Sequence, residues 1–371
     1  MCKLLALYFP AILNTKRIAV AVKIVTIKYN IGLFFFKDTI KNCNLAPLIM
    51  LMRNIYQQQL NQLSTLYDMA EAESILKYLY EIVFNKQFGM LWIDNADFTA
   101  SEMKVLNEHF ARLLDNEPIQ YVLNKAFFYG REFYVDSNVL IPRNETEELV
   151  KLILDFEDRK KNLDILDLGT GSGCIPITLK LERGNYNLFG VDISAEALKI
   201  AGKNAEKFSA DIQLFMADIL NLESGFSLDL ESSISLDLES DIFTENSPSK
   251  AEISHQKTNS QSNFLSKNKF DVIVSNPPYV LENEKASMKK NVLDYEPKLA
   301  LFVPDDDALK YYQAIINALP VLLKPNGSLY LEINNLYSNE LASTLKPYFT
   351  NVSIHKDFRN NERFVVANGF V

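Results

Sequence analysis

Apolar residues along this chain follow two regimes. From about residue 53 to 116 they recur at helical spacing. Leu106, Phe110, Leu113 and Leu114 sit at offsets 0, 4, 7 and 8, one face of a helix that Ser101 can cap. Beyond residue 160 the pattern changes to short apolar runs bounded by glycine, aspartate or proline: Leu163–Leu168, Leu188–Val191, Ile212–Met216 and Phe270–Ser275. Such runs read as strands buried on both faces of a parallel sheet. Gly327–Ile333 follows a turn at Lys324–Gly327, and Val352–His355 with Arg363–Val366 reads as a terminal hairpin. Strands alternating with helical stretches predict an α/β fold behind a small helical domain.

Two stretches interrupt this pattern. Between Asp218 and Phe270 the hexapeptide Ser227-Leu-Asp-Leu-Glu-Ser232 recurs as Ser235–Ser240, followed by a Ser/Asn/Lys-rich run. Low complexity and few aromatics predict a surface loop at 224–268 rather than a domain. Its closure is cheap, because loop entropy grows only with the logarithm of length. At the other end, Met1 to Lys37 contains no acidic residue and is broken repeatedly by lysine and arginine. No apolar run there reaches the roughly 18–20 residues a bilayer span needs. Leu4–Leu13 imitates a signal-peptide core, with Ala19-Val-Ala21 as a weak cleavage pattern. Residues 1–51 are read as an extension, with translation starting at Met50 or Met52; a targeting role and a genuine extension are the competing readings.

Composition narrows the classes. At 371 residues and 48% hydrophobic, the chain can bury a large core and hold more than one domain. Its net charge is −9 with a pI near 5.1. Residues 224–268 carry seven acidic residues against three lysines, and the remainder is still acidic. This balance disfavours nucleic-acid binding through phosphates, which needs a Lys/Arg excess. Cys2, Cys43 and Cys174 show no metal spacing, and Cys174 reads as a small packing residue. His109, His255 and His355 receive no role.

The most informative chemistry is Asn276-Pro277-Pro278-Tyr279, directly after the Phe270–Ser275 run. Proline lacks an N–H and holds φ, so the strand must break there. In open α/β sheets ligands bind at such carboxyl ends. An amide, free backbone carbonyls and an aromatic ring form a receptor for a flat group carrying an NH2. Asn276 Oδ1 and the Pro277 carbonyl can each accept one hydrogen, while Tyr279 packs on the face and Pro278 shapes the turn. An amide or aromatic amino nitrogen is a poor nucleophile, because its lone pair is delocalised. Fixed acceptors disperse the positive charge that grows as it attacks, worth ~3 kcal/mol per well-placed group.

Upstream, Asp167-Leu-Gly169-Thr170-Gly171-Ser-Gly173 joins a strand to a helix start, and glycines there let the backbone approach a ligand. The next strand ends in Asp192, placed for ribose hydroxyls; the third ends in Ala217-Asp218, placed for an adenine amino group. With the amide receptor on the following strand, this pocket points to S-adenosylmethionine. Asp167, Gly169, Thr170, Gly171, Gly173, Asp192, Asp218 and Asn276 are the candidate cofactor contacts.

The motif order resembles the class I (Rossmann-like) methyltransferases, whose amino-methylating members carry Asn/Asp/Ser-Pro-Pro-Tyr/Phe at this strand end. Further segments select among them: Pro118–Leu123, Phe127–Phe133, Val139–Val150 with Ile141-Pro-Arg143-Asn-Glu145-Thr-Glu147, Tyr295–Leu301 and Asp357–Arg363. These resemble the HemK/PrmC family of protein-(glutamine-N5) methyltransferases from about Arg53 to Val366, with one interruption. Asn124 and Asn144 stand where that family usually has glycine and proline; asparagine tolerates a left-handed turn, and the change at 144 is expected to loosen a loop.

The resemblance implies a seven-stranded, mostly parallel sheet with one antiparallel strand near its edge. It implies a helical substrate-docking domain at 52–117, a hairpin linker at 118–147 and a catalytic domain at 148–371. It also implies that Arg143 and Glu145 fix the hairpin at the active-site rim, or else form a salt-bridged turn. The implied substrate is the glutamine of the Gly-Gly-Gln motif in peptide chain release factors, bound by Asn276, Pro277, Pro278 and Tyr279. A cytoplasmic monomer without metal, membrane or stable nucleic-acid partners is expected. Adenine-N6 methylation of DNA or RNA and a non-catalytic cofactor-binding scaffold are the alternatives.

Overall fold

The computed structural model describes residues 23–27, 30–34, 46–92, 98–157, 161–224 and 268–371. The low-complexity repeat, His255 and most of the first 45 residues lie outside them. The chain divides into two compact units, 1–123 and 124–371, so the hairpin of the expected linker falls within the second.

In the first unit β1 (Lys23–Ile27) pairs antiparallel with β2 (Asn30–Phe34). Helices Ala46–Leu63, Met69–Phe84, Ala100–Leu114 and Ile119–Leu123 follow, the first running through the expected boundary at residue 52. Leu76, Leu79, Leu106 and Leu113 are fully buried in one cluster with Phe110, as the spacing predicts. Asp68 caps the second of these helices through Glu71 N at 2.9 Å, and Asn85 ends it in the left-handed region. The cap of the third is Thr99, not Ser101. Thr99 Oγ1 accepts from Glu102 N at 3.1 Å and Glu102 Oε2 accepts from Thr99 N at 2.7 Å, a reciprocal capping box.

The second unit is built on a sheet of β5 (Asp164–Leu168), β6 (Asn187–Asp192), β7 (Ile212–Met216), β8 (Phe270–Ser275), β11 (Leu323–Glu332), β12 (Phe349–Lys356) and β13 (Glu362–Phe370), in the spatial order β12-β13-β11-β8-β5-β6-β7. All neighbours pair in parallel except β13, which runs antiparallel to both β11 and β12. The strand order reverses direction between β5 and β8, the kind of switch point beside which open α/β sheets bind their ligands. Leu168 lies opposite both Ser275 and Val191, so the glycine loop, Asp192 and Asn276 leave the sheet side by side. The β-branched central residues Ile165, Val272, Ile273 and Val274 are fully buried.

The expected turn at Lys324–Gly327 is a bulge inside β11. Leu323 already pairs with Phe270, and pairing resumes at Ser328 opposite Val272. Pro325 has no N–H to offer the ladder and Asn326 takes φ +62°, so these residues loop out between the two paired ends. The hairpin β3 (Ala126–Phe128) and β4 (Arg131–Phe133) turns at Tyr129-Gly130, both at positive φ, which matches the twist of its strands. Two short strands, Val280–Leu281 (β9) and Phe302–Val303 (β10), form a separate parallel ladder just beyond Tyr279.

The capping box separates two adjacent hydroxyl residues by experiment. Thr99→Ala is expected to lower stability by about 1 kcal/mol, and Ser101→Ala to leave it within about 0.5 kcal/mol, as read from urea unfolding.

Candidate active site

The glycine loop is held from below by β6. Gly169 N and Thr170 N both donate to Val191 O at 2.8 Å, and Gly171 N donates to Asp192 Oδ2 at 2.9 Å. Gly169, Gly171 and Gly173 all have positive φ. A Cβ on Gly173 would stand 3.1 Å from Ala201 Cβ, so this glycine lets the helix Cys174–Glu182 pack closely on the helix Ala195–Phe208. At Gly171 a Cβ would meet nothing within 4 Å: the loop faces open space there. Buried Asn204 braces the loop, its Nδ2 donating to Ser172 O at 2.9 Å and Tyr134 O at 3.0 Å, while its Oδ1 accepts from Tyr134 N at 2.7 Å.

These residues fit the cofactor expected for them. Asp167 is 1% exposed, and neither of its oxygens has a hydrogen-bond partner among the described residues. Burial pushes its carboxyl up to about 7; the Thr170 hydroxyl beside it acts in the opposite sense, and Asp192 adds to the rise. A buried carboxylate of this kind asks for a donor or a positive charge, such as an amino-acid ammonium or a sulfonium centre supplies. Asp192 uses one lone pair on each oxygen, for Gly171 N and Ser194 N, and has others to spare, as the expected ribose contact requires. Asp218 accepts from Leu220 N and Asn221 Nδ2 in the same way. Cys174 begins a helix, buried, with its thiol pushed up to about 12 by burial, which suits a packing residue.

At the end of β8, Ser275 Oγ donates to Leu168 O at 2.6 Å and closes the switch point. Asn276 Nδ2 donates to Thr146 Oγ1 at 3.2 Å, and Thr146 Oγ1 donates to Glu332 Oε2 at 2.8 Å. Tyr279 Oη donates to the other oxygen of Glu332 at 3.0 Å, and Asn334 Nδ2 donates to Tyr279 O at 3.2 Å. The tetrapeptide is thus held at both ends. Among the described residues none donates to Asn276 Oδ1 or to the Pro277 carbonyl, so both acceptors are unengaged there. Pro277 is buried, while Asn276, Pro278 and Tyr279 are half-buried.

The remaining family-like segments converge on this rim. Arg143 Nη2 donates to both oxygens of Glu296 at 2.7 Å, and Glu296 is almost fully buried. Glu145 pairs with Arg359 at 3.5 Å, and Glu148 Oε1 accepts from Phe358 N at 3.0 Å. Arg143 and Glu145 thus tie the end of the 118–147 segment to later parts of the chain through ion pairs. The β3–β4 turn itself is held by Glu147, which accepts from Tyr129 N at 2.8 Å. Asn124 adopts φ +53°, the left-handed turn expected of it. Asn144 is the first residue of the helix Asn144–Phe156, not a loop residue; proline suits that position because its missing N–H is unneeded there.

The sequence-predicted residues Asp167, Gly169, Thr170, Gly171, Gly173, Asp192, Asp218 and Asn276–Tyr279 all stand at the carboxyl ends of the four adjoining strands β7, β6, β5 and β8. Thr146, Glu332, Asn334 and Asn204 escaped that reading. Only a polar residue ending an apolar strand, Glu332 after Leu329-Tyr-Leu, hinted at one of them. His109 and His355 lie in a helix of the first unit and in edge strand β12. Among the described residues no group of three or more His, Cys, Asp or Glu could hold a metal ion, and no helix is long and apolar enough to cross a membrane.

Strand order, glycine loop and amide receptor together define a class I methyltransferase. A family model for the Eco57I restriction-modification methylases matches residues 186–364. Release factor glutamine methyltransferase of Flavobacterium psychrophilum is 36% identical over 326 residues, 86% of this chain and 99% of that protein. The enzyme of the same description from Bacteroides thetaiotaomicron is 37% identical over 274 residues, 73% of this chain and 82% of its own, and that from Lactococcus lactis 35% identical over 302 residues, 81% and 94%. The chain belongs to the release factor glutamine methyltransferase family.

Removing Arg143 would leave the Glu296 carboxylate buried with the Ile141 N–H, at 3.4 Å, but without its counter-charge. Arg143→Ala is expected to cost about 2–3 kcal/mol in urea or thermal unfolding, since the guanidinium is itself partly exposed, and Arg143→Lys to recover only part of it.

Proposed function

We propose that this protein transfers a methyl group from S-adenosylmethionine to the side-chain amide nitrogen of the glutamine in the Gly-Gly-Gln motif of peptide chain release factors. The observation that carries this reading is the pair of open acceptors, Asn276 Oδ1 and the Pro277 carbonyl, beside the glycine loop in a chain of this family. The bound cofactor supplies an electrophilic methyl on a positively charged sulfur. Asp167 and the Gly169–Gly173 loop would hold one side of it, with Asp192 and Asp218 at the nucleoside end.

The reaction needs alignment more than acid–base chemistry. The glutamine NH2 donates one hydrogen to Asn276 Oδ1 and the other to the Pro277 carbonyl. Tyr279, tethered through its hydroxyl to Glu332, flanks the amide plane. The two acceptors draw the nitrogen towards tetrahedral geometry and stabilise the positive charge that develops on it. The nitrogen–carbon bond forms as the carbon–sulfur bond breaks, and the nitrogen then gives up one proton to solvent.

The match to restriction-modification methylases begins at residue 186, after both the glycine loop and the Ile141–Glu147 segment. It covers the part that adenine-N6 and glutamine enzymes share, so it does not favour a nucleic-acid substrate. The acidic charge of −9 also counts against one. On this reading the enzyme is a cytoplasmic monomer that meets its protein substrate transiently, without a membrane or stable nucleic-acid partner.

Asn276→Ala is expected to lower kcat on a release factor by about 100-fold or more while leaving the cofactor dissociation constant within about threefold. Rapid-quench methyl transfer and calorimetric titration with S-adenosylhomocysteine check the two halves. Loss of cofactor binding equal to the loss of turnover would contradict the assigned role.

A further inference from the structure

Thr146, Asn276 and Glu332 come from three elements far apart in the chain, yet meet in one hydrogen-bonded line. Thr146 is 3% and Glu332 1% exposed, and both find protein partners. A threonine hydroxyl has a single proton, whereas an ionised carboxylate only accepts. Glu332 therefore takes the Thr146 proton on Oε2 at 2.8 Å and the Tyr279 proton on Oε1 at 3.0 Å. The Thr146 oxygen can then only accept from Asn276. Of the two ends of that amide, Nδ2 alone can serve, as it does at 3.2 Å. Oδ1 is turned the other way, and among the described residues nothing donates to it.

We propose that Thr146 and Glu332 are positioning residues that set the flip of the Asn276 amide, so that Oδ1 rather than Nδ2 meets the substrate. This deepens the proposed function and rests on it. An amide in the opposite flip would set two N–H donors against each other at the substrate nitrogen, and the receptor would repel the group it exists to hold.

The direction of the line depends on one proton. With Glu332 ionised it runs from Asn276 through Thr146 to the carboxylate. With Glu332 protonated it can run backwards: Glu332 donates to Thr146, Thr146 donates to Asn276 Oδ1, and Nδ2 faces the substrate. The groups facing Glu332 are Thr146 and Glu145 from the helix Asn144–Phe156, Tyr279 beyond β8, Tyr312, which donates to the Glu332 backbone carbonyl at 3.1 Å, and Arg363 from β13. Arg143 acts on the same cluster through Tyr279. Burial raises the Glu332 carboxyl, Thr146, Tyr279 and Arg363 oppose the rise, and Glu145 adds to it. The ionised form is the competent one, so turnover falls as pH falls through the folded-state pKa, at a higher pH than for an ordinary glutamate.

The test compares wild type, Thr146→Ser, Thr146→Val and Glu332→Gln in methyl transfer to a release factor at saturating cofactor across pH. Thr146→Val removes the acceptor, and Glu332→Gln removes the charge that fixes the line's direction and offers Thr146 an N–H that can reverse it. Both are expected to lose about 100-fold in kcat with cofactor affinity kept, while Thr146→Ser retains the rate within about threefold. The acid limb of kcat is expected in wild type and Thr146→Ser and absent from the other two. Wild-type turnover in both Thr146→Val and Glu332→Gln, or a kcat loss matched by loss of cofactor binding, would overturn the positioning role. Absence of transfer by the wild-type enzyme would overturn the proposed function instead.

Discussion

A carboxylate buried at the end of a strand has to be satisfied by its neighbours, and at Glu332 those neighbours belong to the candidate active site. Its two oxygens take the hydroxyls of Thr146 and Tyr279, and its backbone carbonyl takes that of Tyr312. Leaving any such group unpaired in a site of low dielectric is expensive, so the partners hold one geometry. Through them a helix start, the turn after β8 and the end of β11 become one rigid receptor. The two prolines complete the constraint: they stop the β8 ladder, and Asn276 is left at the switch point of the sheet rather than paired inside it.

The cofactor side follows a different logic. There the backbone itself does the work, through positive-φ glycines tied to the β6 carbonyl and to Asp192. Among the described residues one carboxylate, Asp167, is buried with only the Thr170 hydroxyl beside it, while Asp192 and Asp218 are largely engaged. The contrast supports the proposed roles, a charged ligand end at Asp167 and a neutral one at Asp192 and Asp218. Rim contacts such as Arg143–Glu296 and Glu145–Arg359 join segments that precede and follow the sheet strands, so the receptor is framed as well as built.

What was legible in the sequence was local. Strands β7 and β8 lie where the apolar runs placed them, and glycine, proline and aspartate at strand ends marked the pocket because each acts on its own backbone. Long-range polar pairing was not legible. Nothing in one sequence says that Thr146 meets Glu332, 186 residues away, or that Arg143 meets Glu296. The misplaced cap is a smaller lesson. Thr99 and Ser101 offer the same hydroxyl, but only Thr99 has a glutamate three residues on, and that spacing was present to be read. The bulge in β11 was mistaken for a turn preceding a strand because Pro325 and Asn326 carry the same local signals in both settings.

The central claim is that Asn276 and Pro277 receive a glutamine amide carried by a release factor. Methyl transfer from labelled cofactor tests it directly, with a purified release factor, its Gly-Gly-Gln→Gly-Gly-Ala variant and duplex DNA as parallel acceptors. The account predicts label on the unaltered factor alone. Label on DNA, or equal label on the Gly-Gly-Ala variant, would contradict it.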